Sequence, residues 1–334
     1  QLAYQGRDDL DLQSMYGELI CKVASHDYAE FTEVQEDFSK PRAADGRIRI
    51  GIVSAFFRSH SNWKLRRSWI RDIDRTQFHI TGYYLDSTFD HVTMIDYPYF
   101  DELVFGLRDV WAYAHRIRQD RIDILIYPEL GMSPYASMLA SLRLARIQCV
   151  SWGHPETSGR PTMDYFLSSA PMEPGSNAQH YSEKLIRVEG LSFRYMASAD
   201  TVQKVARSDF GIADGSVVFW YLHSIKKLLP QDDDLLPRIA TQVTNSVFLI
   251  ERDRRQGYHE ILENRIRTAF ATHDLDFEKH CVFVAQRPER QFRGIMGVSD
   301  VYLDSLGWNG CNSTLEALEF NLPIVTCPGL LCRG

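Results

Sequence analysis

The chain has 334 residues, of which 44% are hydrophobic and 24% charged, and it carries a formal net charge of -7. That length suits about two domains of roughly 150 residues each. The acidic balance speaks against a general nucleic-acid binder, with Arg66, Arg67 and Arg71 as a local basic patch, and no apolar run approaches the ~20 residues that span a bilayer.

Residues 1–45 read as a helix followed by a linker. Leu12, Met15, Tyr16, Leu19, Ile20 and Val23 form an apolar stripe at helical period, and Pro41 and Gly46 mark a break. The segment is either the last helix of a helical, repeat-type region outside this chain or a helix that packs on its own domain. From Arg47 the period changes. Strands are predicted at Ile48 to Val53, Phe78 to Leu85, Ile122 to Tyr127, Gln148 to Trp152 and Tyr165 to Leu167. Helices are predicted at Trp111 to Gln119 and Tyr135 to Leu144.

Residues 170–208 are rich in Ser, Pro and Gly and are expected to be an irregular crossing between domains. The alternation then restarts. Strands are predicted at Val217 to Leu222, Val247 to Ile250, Cys281 to Ala285 and Val301 to Leu303, with helices at Asp232 to Val243, Tyr258 to Thr272 and Gln291 to Val298. Glu251 to Arg255 reads as a charged loop. This pattern predicts an α/β protein with two Rossmann-like domains, 46–200 and 201–334, after the helical segment. Ligands of such sheets bind at the carboxyl ends of the strands. The chain opens without Met and stops soon after a strand, so a lost start and a truncated second domain are expected.

The 6 cysteines are scattered without a C-x-x-C pair. Cys149 and Cys327 lie in apolar, strand-like sequence, so buried, reduced thiols and a cytoplasmic setting are expected. HExxH is absent and no acidic triplet suggests a magnesium site. Neither a metal nor a cofactor is expected.

Polar and small residues gather most densely at Val301 to Gly329. An apolar run ends at Asp304, a loop with Gly307, Asn309 and Gly310 follows, and Asn312-Ser313-Thr314 opens a helix carrying Glu316. A second apolar run, Leu322 to Val325, follows it. A helix N-terminus presents unpaired N–H groups suited to a diphosphate, and Glu316, about one turn in, is placed to accept hydrogen bonds from sugar hydroxyls. On local grounds the unit fits a phosphate site and an ordinary capped crossover equally well.

The order of several segments adds a resemblance. These are Gly51-Ile52-Val53-Ser54 with Phe57-Arg58-Ser59-His60; Trp152-Gly153-His154-Pro155-Glu156-Thr157-Ser158-Gly159 with Met163-Asp164-Tyr165; Tyr181-Ser182-Glu183-Lys184; and Asp304 through Glu316 with Pro323 through Gly329. In this order, over about residues 47 to 334, the chain resembles the O-linked N-acetylglucosamine transferase/SPINDLY glycosyltransferases, most closely their bacterial branch.

The resemblance implies a GT-B type fold, with two Rossmann-like domains facing a cleft. The first would serve the acceptor and the second would bind a nucleotide sugar. It implies an inverting, metal-independent transfer to a protein Ser or Thr hydroxyl. UDP-N-acetylglucosamine is the expected donor, although plant members use GDP-fucose. Read from its polar surroundings alone His60 is a surface histidine; by the resemblance it matches a histidine acting as base or as an acceptor-positioning group. Lys227 matches a lysine that neutralises the leaving diphosphate, a solvated Lys226-Lys227 pair being the plain alternative.

His223 and Ser224 fall near the phosphates by the same resemblance, Asn312, Ser313 and Thr314 on the diphosphate, and Glu316 on the ribose. Phe292 stands where animal relatives have a base-contacting histidine, and Cys311 and Met132 stand where many relatives have histidine. Phe56 takes the place of a frequent Asp. His154, Pro155, Thr157 and Ser158 are expected to line the cleft or to form a structural turn. The rival readings are a degenerate transferase that binds protein or glycan without turnover, and a sugar-nucleotide epimerase, whose acid/base candidates would be Glu129 and Glu156.

Overall fold

The computed structural model describes residues 2–32, 45–197 and 201–334. Pro41 in the expected linker and the expected domain boundary at residue 200 lie outside the described residues. Contacts divide the chain into two compact units. The first comprises Arg7–Met196 with Leu330–Cys332, and the second Gln1–Gly6, Ala197–Gly329 and Arg333–Gly334.

In chain order the first unit holds α1 (Leu10–Asp27), β1 (Ile48–Ser54), α2 (Ser61–Arg71), β2 (Phe78–Tyr84), α3 (His91–Asp96) and β3 (Glu102–Val104). It continues with α4 (Val110–Gln119), β4 (Ile124–Tyr127), α5 (Pro134–Ala140), β5 (Ile147–Ser151), β6 (Tyr165–Ser169) and β7 (Lys184–Val188). The strands form one seven-stranded parallel sheet in the order β3-β2-β1-β4-β5-β6-β7. Ile50 of β1 lies opposite Ile80 and Ile124. Consecutive residues of β1 are buried, among them Ile50, Ile52 and Val53, as expected of a strand covered on both faces. Phe57, Trp63, Ile70, Tyr84 and Phe100 pack with Ile50 and Ile52 in one cluster.

The second unit holds β8 (Val217–Tyr221), α6 (Leu235–Gln242), β9 (Ser246–Arg252), α7 (Gln256–Thr272) and α8 (Phe277–His280). After these come β10 (Cys281–Ala285), α9 (Glu289–Met296), β11 (Val301–Leu303), α10 (Asn312–Glu319) and β12 (Ile324–Val325). Its five-stranded parallel sheet has the order β10-β9-β8-β11-β12. The two-residue period of β8 sends Phe219 and Tyr221 to one core cluster and Val218, Trp220 and Leu222 to another.

Several elements depart from the sequence expectation for local physical reasons. α2 was not predicted because its inner face carries Asn62, Arg66 and Ser68, all buried, which blurs the apolar period. β3 and β7 were missed because the first is three residues long and the second is half-exposed. α5 stops at Ala140, short of Leu144, as the Gln148 side chain accepts from the amides of Leu144 and Ala145 at 2.8 and 3.2 Å. α6 begins at Leu235 and places Pro237 in its first turn, where an amide has no helical partner anyway. Glu251 and Arg252 are not loop residues: they pair with Val284 and Ala285 of β10. Cys327 is exposed and lies beyond β12 rather than inside a strand.

The three arginines of the basic patch are engaged within the fold. Asp96, 1% exposed, accepts from Trp63 Nε1 at 2.7 Å and pairs with Arg67 at 2.8 Å and Arg71 at 2.5 Å. Arg66 is buried with its guanidinium 4.3 Å from the Trp152 ring. α1 also differs from expectation. Leu12, Met15, Tyr16, Leu19 and Val23 are all more than half exposed, and the helix docks through Gly17 instead. There its backbone meets the turn at Gly159, which has φ +64°. A Cβ on Gly17 would stand 2.1 Å from the Gly159 carbonyl oxygen.

Backbone that close cannot yield cheaply, so Gly17→Ala is expected to lower unfolding stability by about 2–3 kcal/mol. Gly175→Ala, whose Cβ meets nothing within 4 Å, serves as the control, with both midpoints read by urea denaturation.

Candidate functional site

Each sheet reverses its winding once, between β1 and β4 and between β8 and β11. Loops leaving the carboxyl ends of the strands diverge at such a reversal and leave room for a ligand. The predicted site residues gather mainly at these two places, one in each unit.

In the second unit the organising group is Asp304, directly after β11 and 3% exposed. Its Oδ1 accepts from the amides of Ser305 at 2.9 Å and Gly310 at 2.8 Å, and its Oδ2 accepts from the Thr326 hydroxyl at 3.0 Å. Burial raises its pKa above the usual carboxylate value, against those hydrogen bonds. The ring of donors draws the 304–310 loop into a tight bend. Gly310 is essential to it, since a Cβ there would lie 2.2 Å from the Tyr302 hydroxyl and 2.5 Å from Thr314 Oγ1.

Lys227 reaches this loop from the turn after β8. Its ammonium donates to the carbonyl of Asn309 at 2.9 Å. Burial pushes its pKa down to about 8, with Asp304 and Cys311 pulling the other way. Lys226 points elsewhere, its Nζ 5.7 Å from the Tyr4 ring centroid, so the two lysines are not one solvated pair. α10 starts immediately after the loop. Cys311 at its N-cap makes no side-chain capping bond, so a cation and a helix N-terminus adjoin one bend of backbone, an arrangement suited to an anion.

The side chains of α10 are more committed than their sequence suggested. Ser313 Oγ lies 2.8 Å from the Tyr302 hydroxyl, to which Thr314 Oγ1 donates at 3.4 Å. Glu316 is 5% exposed and so is not displayed for a sugar in this conformation. His223 is 3% exposed, and its Nε2–H donates to the Leu303 carbonyl at 2.8 Å. Burial holds its pKa at about 3, so it pins β8 to β11 as a neutral ring. Ser224 is exposed beside it. Phe292 packs edge-on to Trp220, with centroids 5.2 Å apart, against the core; it acts as a core aromatic here.

In the first unit His60 is the N-cap of α2. Its Nδ1 accepts from the Asn62 amide at 3.2 Å. The neutral ring therefore carries its proton on Nε2. Burial, reinforced by Arg58, lowers its pKa to about 4. At neutral pH the ring is therefore uncharged and offers its Nε2–H as a hydrogen-bond donor. Phe56 stands in for the expected carboxylate by stacking on His60, at 4.1 Å between centroids and 24° between planes.

Asn62 Nδ2 meets Met132 Sδ at 2.7 Å, which ties the cap to the loop after β4. In that loop Gly131 packs against the His154 ring, and His154 Nε2 lies 3.2 Å from Glu156 Oε2. His154 and Pro155 are half-buried beside it. In the sequence Glu129 stands only as an acid/base candidate of the epimerase reading. It is 3% exposed, hydrogen-bonds with Ser54 and the Ala55 amide, and has its pKa raised by burial to about 7. Its sequence signal was an acid two residues past an apolar strand.

Thr157 and Ser158 do not line an open site. Both are buried, and Glu183 holds them: Oε2 accepts from the Thr157 hydroxyl at 2.7 Å and Oε1 from the Ser158 amide at 2.8 Å. They form the structural turn on which α1 sits. Glu156 also accepts from Gln13 Nε2 at 3.2 Å. Among the described residues no group of three or more His, Cys, Asp or Glu side chains could hold a metal ion, and no helix is long and apolar enough to cross a membrane.

Residues 26–194 match the model of glycosyl transferase family 41. The chain is 26% identical over 294 residues to the probable UDP-N-acetylglucosamine–peptide N-acetylglucosaminyltransferase SEC of Arabidopsis thaliana, covering 84% of this chain and 29% of that protein. It is 24% identical over 344 residues to a probable enzyme of the same description, SPINDLY of Hordeum vulgare, covering 97% and 34%. The chain thus spans about a third of these relatives' length. A mutant O-GlcNAc transferase of Thermobaculum terrenum superposes with a TM-score of 0.76 at 21% identity, over 94% of this chain and 59% of that one. This likeness establishes the fold.

Two outcomes check the geometry. Glu183→Ala strips the acceptor from two buried hydroxyls and an amide and is expected to cost about 3 kcal/mol in urea unfolding. By NMR titration the His60 ring should protonate near pH 4 rather than 6.5; a midpoint near 6.5 would contradict the buried, capped ring.

Proposed function

The chain belongs to glycosyl transferase family 41, and from that premise we propose that it transfers a sugar from a nucleotide donor to a protein Ser or Thr hydroxyl. The donor we propose is UDP-N-acetylglucosamine, and the transfer inverts the anomeric centre without a metal. The observation that carries this reading is Lys227. It is a part-buried ammonium fixed on the Asn309 carbonyl at 2.9 Å, beside a helix start that has no side-chain cap.

In this reading the second unit takes the diphosphate. Lys227 neutralises charge as the bond to the sugar breaks, and the first amides of α10, at Asn312, Ser313 and Thr314, hold the phosphate oxygens. Direct displacement then needs oriented reactants rather than a protein nucleophile. In the first unit His60 contributes orientation. Its Nε2–H donates to an oxygen of the acceptor or donor; as the hydroxyl oxygen bonds to the anomeric carbon and the bond to the diphosphate breaks, the hydroxyl proton passes to solvent water. Glu316 reaches a ribose only if α10 shifts on binding. The six cysteines are free thiols, which supports a reducing, cytoplasmic setting.

Isothermal titration with UDP, GDP and their sugars tests the donor. UDP should bind and GDP should not, and Lys227→Ala should weaken UDP at least tenfold while His60→Ala leaves it near wild type. The lysine's charge also sets a pH trend. Its cation is retained below about 8 and is favoured further by the bound diphosphate. UDP affinity should therefore be flat at lower pH and fall up to about tenfold per unit above 8, with no such fall in Lys227→Ala. Turnover on a protein extract should survive a chelator; activity restored only by added magnesium would sink the metal-free mechanism.

A further inference from the structure

The bend that holds Lys227 also carries an aromatic ring with a partner from the far end of the chain. Trp308 lies between Gly307 and Asn309, inside the loop closed by Asp304. Its own carbonyl accepts from Ser305 Oγ at 2.8 Å. The Tyr4 ring stacks on its indole, with centroids 4.1 Å apart and planes 12° apart. Tyr4 belongs to a short turn, Leu2–Gln5, in which Ala3 is 1% exposed. These first residues pack with the second unit, although the chain next builds the first unit. The Lys226 ammonium also lies 5.7 Å from the centroid of the Tyr4 ring. One ring therefore touches both segments of the candidate diphosphate site: the turn after β8, which carries Lys226 and Lys227, and the loop after β11, which carries Trp308 and Asn309.

We propose that Tyr4 is a positioning residue for the nucleotide diphosphate, bracing Trp308 and Lys226 so that Asn309 and Lys227 are held in register before the ligand arrives. This rests on the function proposed above. The physical reason is the cost of ordering a loop on binding. A bend containing Gly307 at φ +72° and Gly310 has large freedom to lose. A stacked aromatic pair removes part of that cost in advance. Tyr4 touches no reacting atom. Its effect passes through the placement of Lys227 and the α10 amides, so it should change donor affinity more than the rate at saturating donor.

Hydrogen exchange and donor binding on the full chain test this together. In Tyr4→Ala the amides of Asn309, Gly310 and Cys311 should exchange faster without nucleotide. UDP should bind about fivefold more weakly, and the donor KM should rise with kcat near wild type. Tyr4→Phe, which keeps the ring, should restore all three values. Trp308→Ala should show the same loss, with no further loss when combined with Tyr4→Ala. Unchanged exchange overturns the proposal. Faster exchange with unchanged UDP affinity also overturns it, because Tyr4 would then be only a surface brace. A loss of UDP binding in Lys227→Ala alone, with Tyr4→Ala unaffected, defeats this inference and leaves the function standing. Undiminished UDP binding in Lys227→Ala, or none in the parent chain, defeats the function itself.

Discussion

A parallel sheet whose strands are laid down on both sides of the first must reverse its winding at that strand, and here the reversals lie at β1/β4 and β8/β11. The rest depends on this constraint. Helices on opposite faces leave the strand ends at a reversal uncovered. Backbone there has no sheet partner, so polar side chains have to organise it. Asp304 does this in the second unit by collecting two amides and a hydroxyl. In the first unit the same work is shared by Ser54, which takes the Phe56 amide at 2.9 Å, and by His60, which caps α2.

The electrostatics of the two places follow from the same geometry. Pulling the loops inward desolvates the side chains that hold them. Cations and imidazoles then lose charge affinity while carboxyls keep their protons longer. Lys227 falls to about 8 and remains mostly charged at neutral pH because Asp304 and Cys311 oppose its burial. In His223 the hydrogen bond to the Leu303 carbonyl is outweighed by burial and the Lys227 charge, and in His60 burial and Arg58 act together, so both rings are neutral. The Lys227 cation is thus held on the bend that precedes α10 while the histidines serve as neutral hydrogen-bonding groups. That difference separates Lys227 from residues that looked equally reactive in sequence.

Where sequence reading fell short, polar residues were serving structure. Thr157 and Ser158 resemble a binding turn, yet Glu183 consumes them, because a turn that seats α1 at the Gly17–Gly159 contact needs its donors and acceptors paired internally. Arg66, Arg67 and Arg71 resemble a basic patch, yet Asp96 and Trp152 absorb them. In both cases the partner is distant along the chain, and local pattern carries no record of it. The stripe on α1 failed in the opposite sense: its period marks a helix correctly, but the face it marks stays exposed.

The sequence by itself determined what local physics can encode. Apolar runs, their alternation with helical periods and the breaks between them specify two parallel α/β sheets, and the Asp304-to-Glu316 segment specifies a strand, a tight loop and a helix. Ordered motifs over most of the chain specify the family. The tertiary structure decided the roles. It turned Lys227 onto Asn309 and Lys226 toward Tyr4, buried Glu316 and His223, and laid Tyr4 on Trp308. Each of these depends on which groups meet across tens or hundreds of residues, and on the desolvation that follows. Neither quantity is written in the spacing of neighbouring residues.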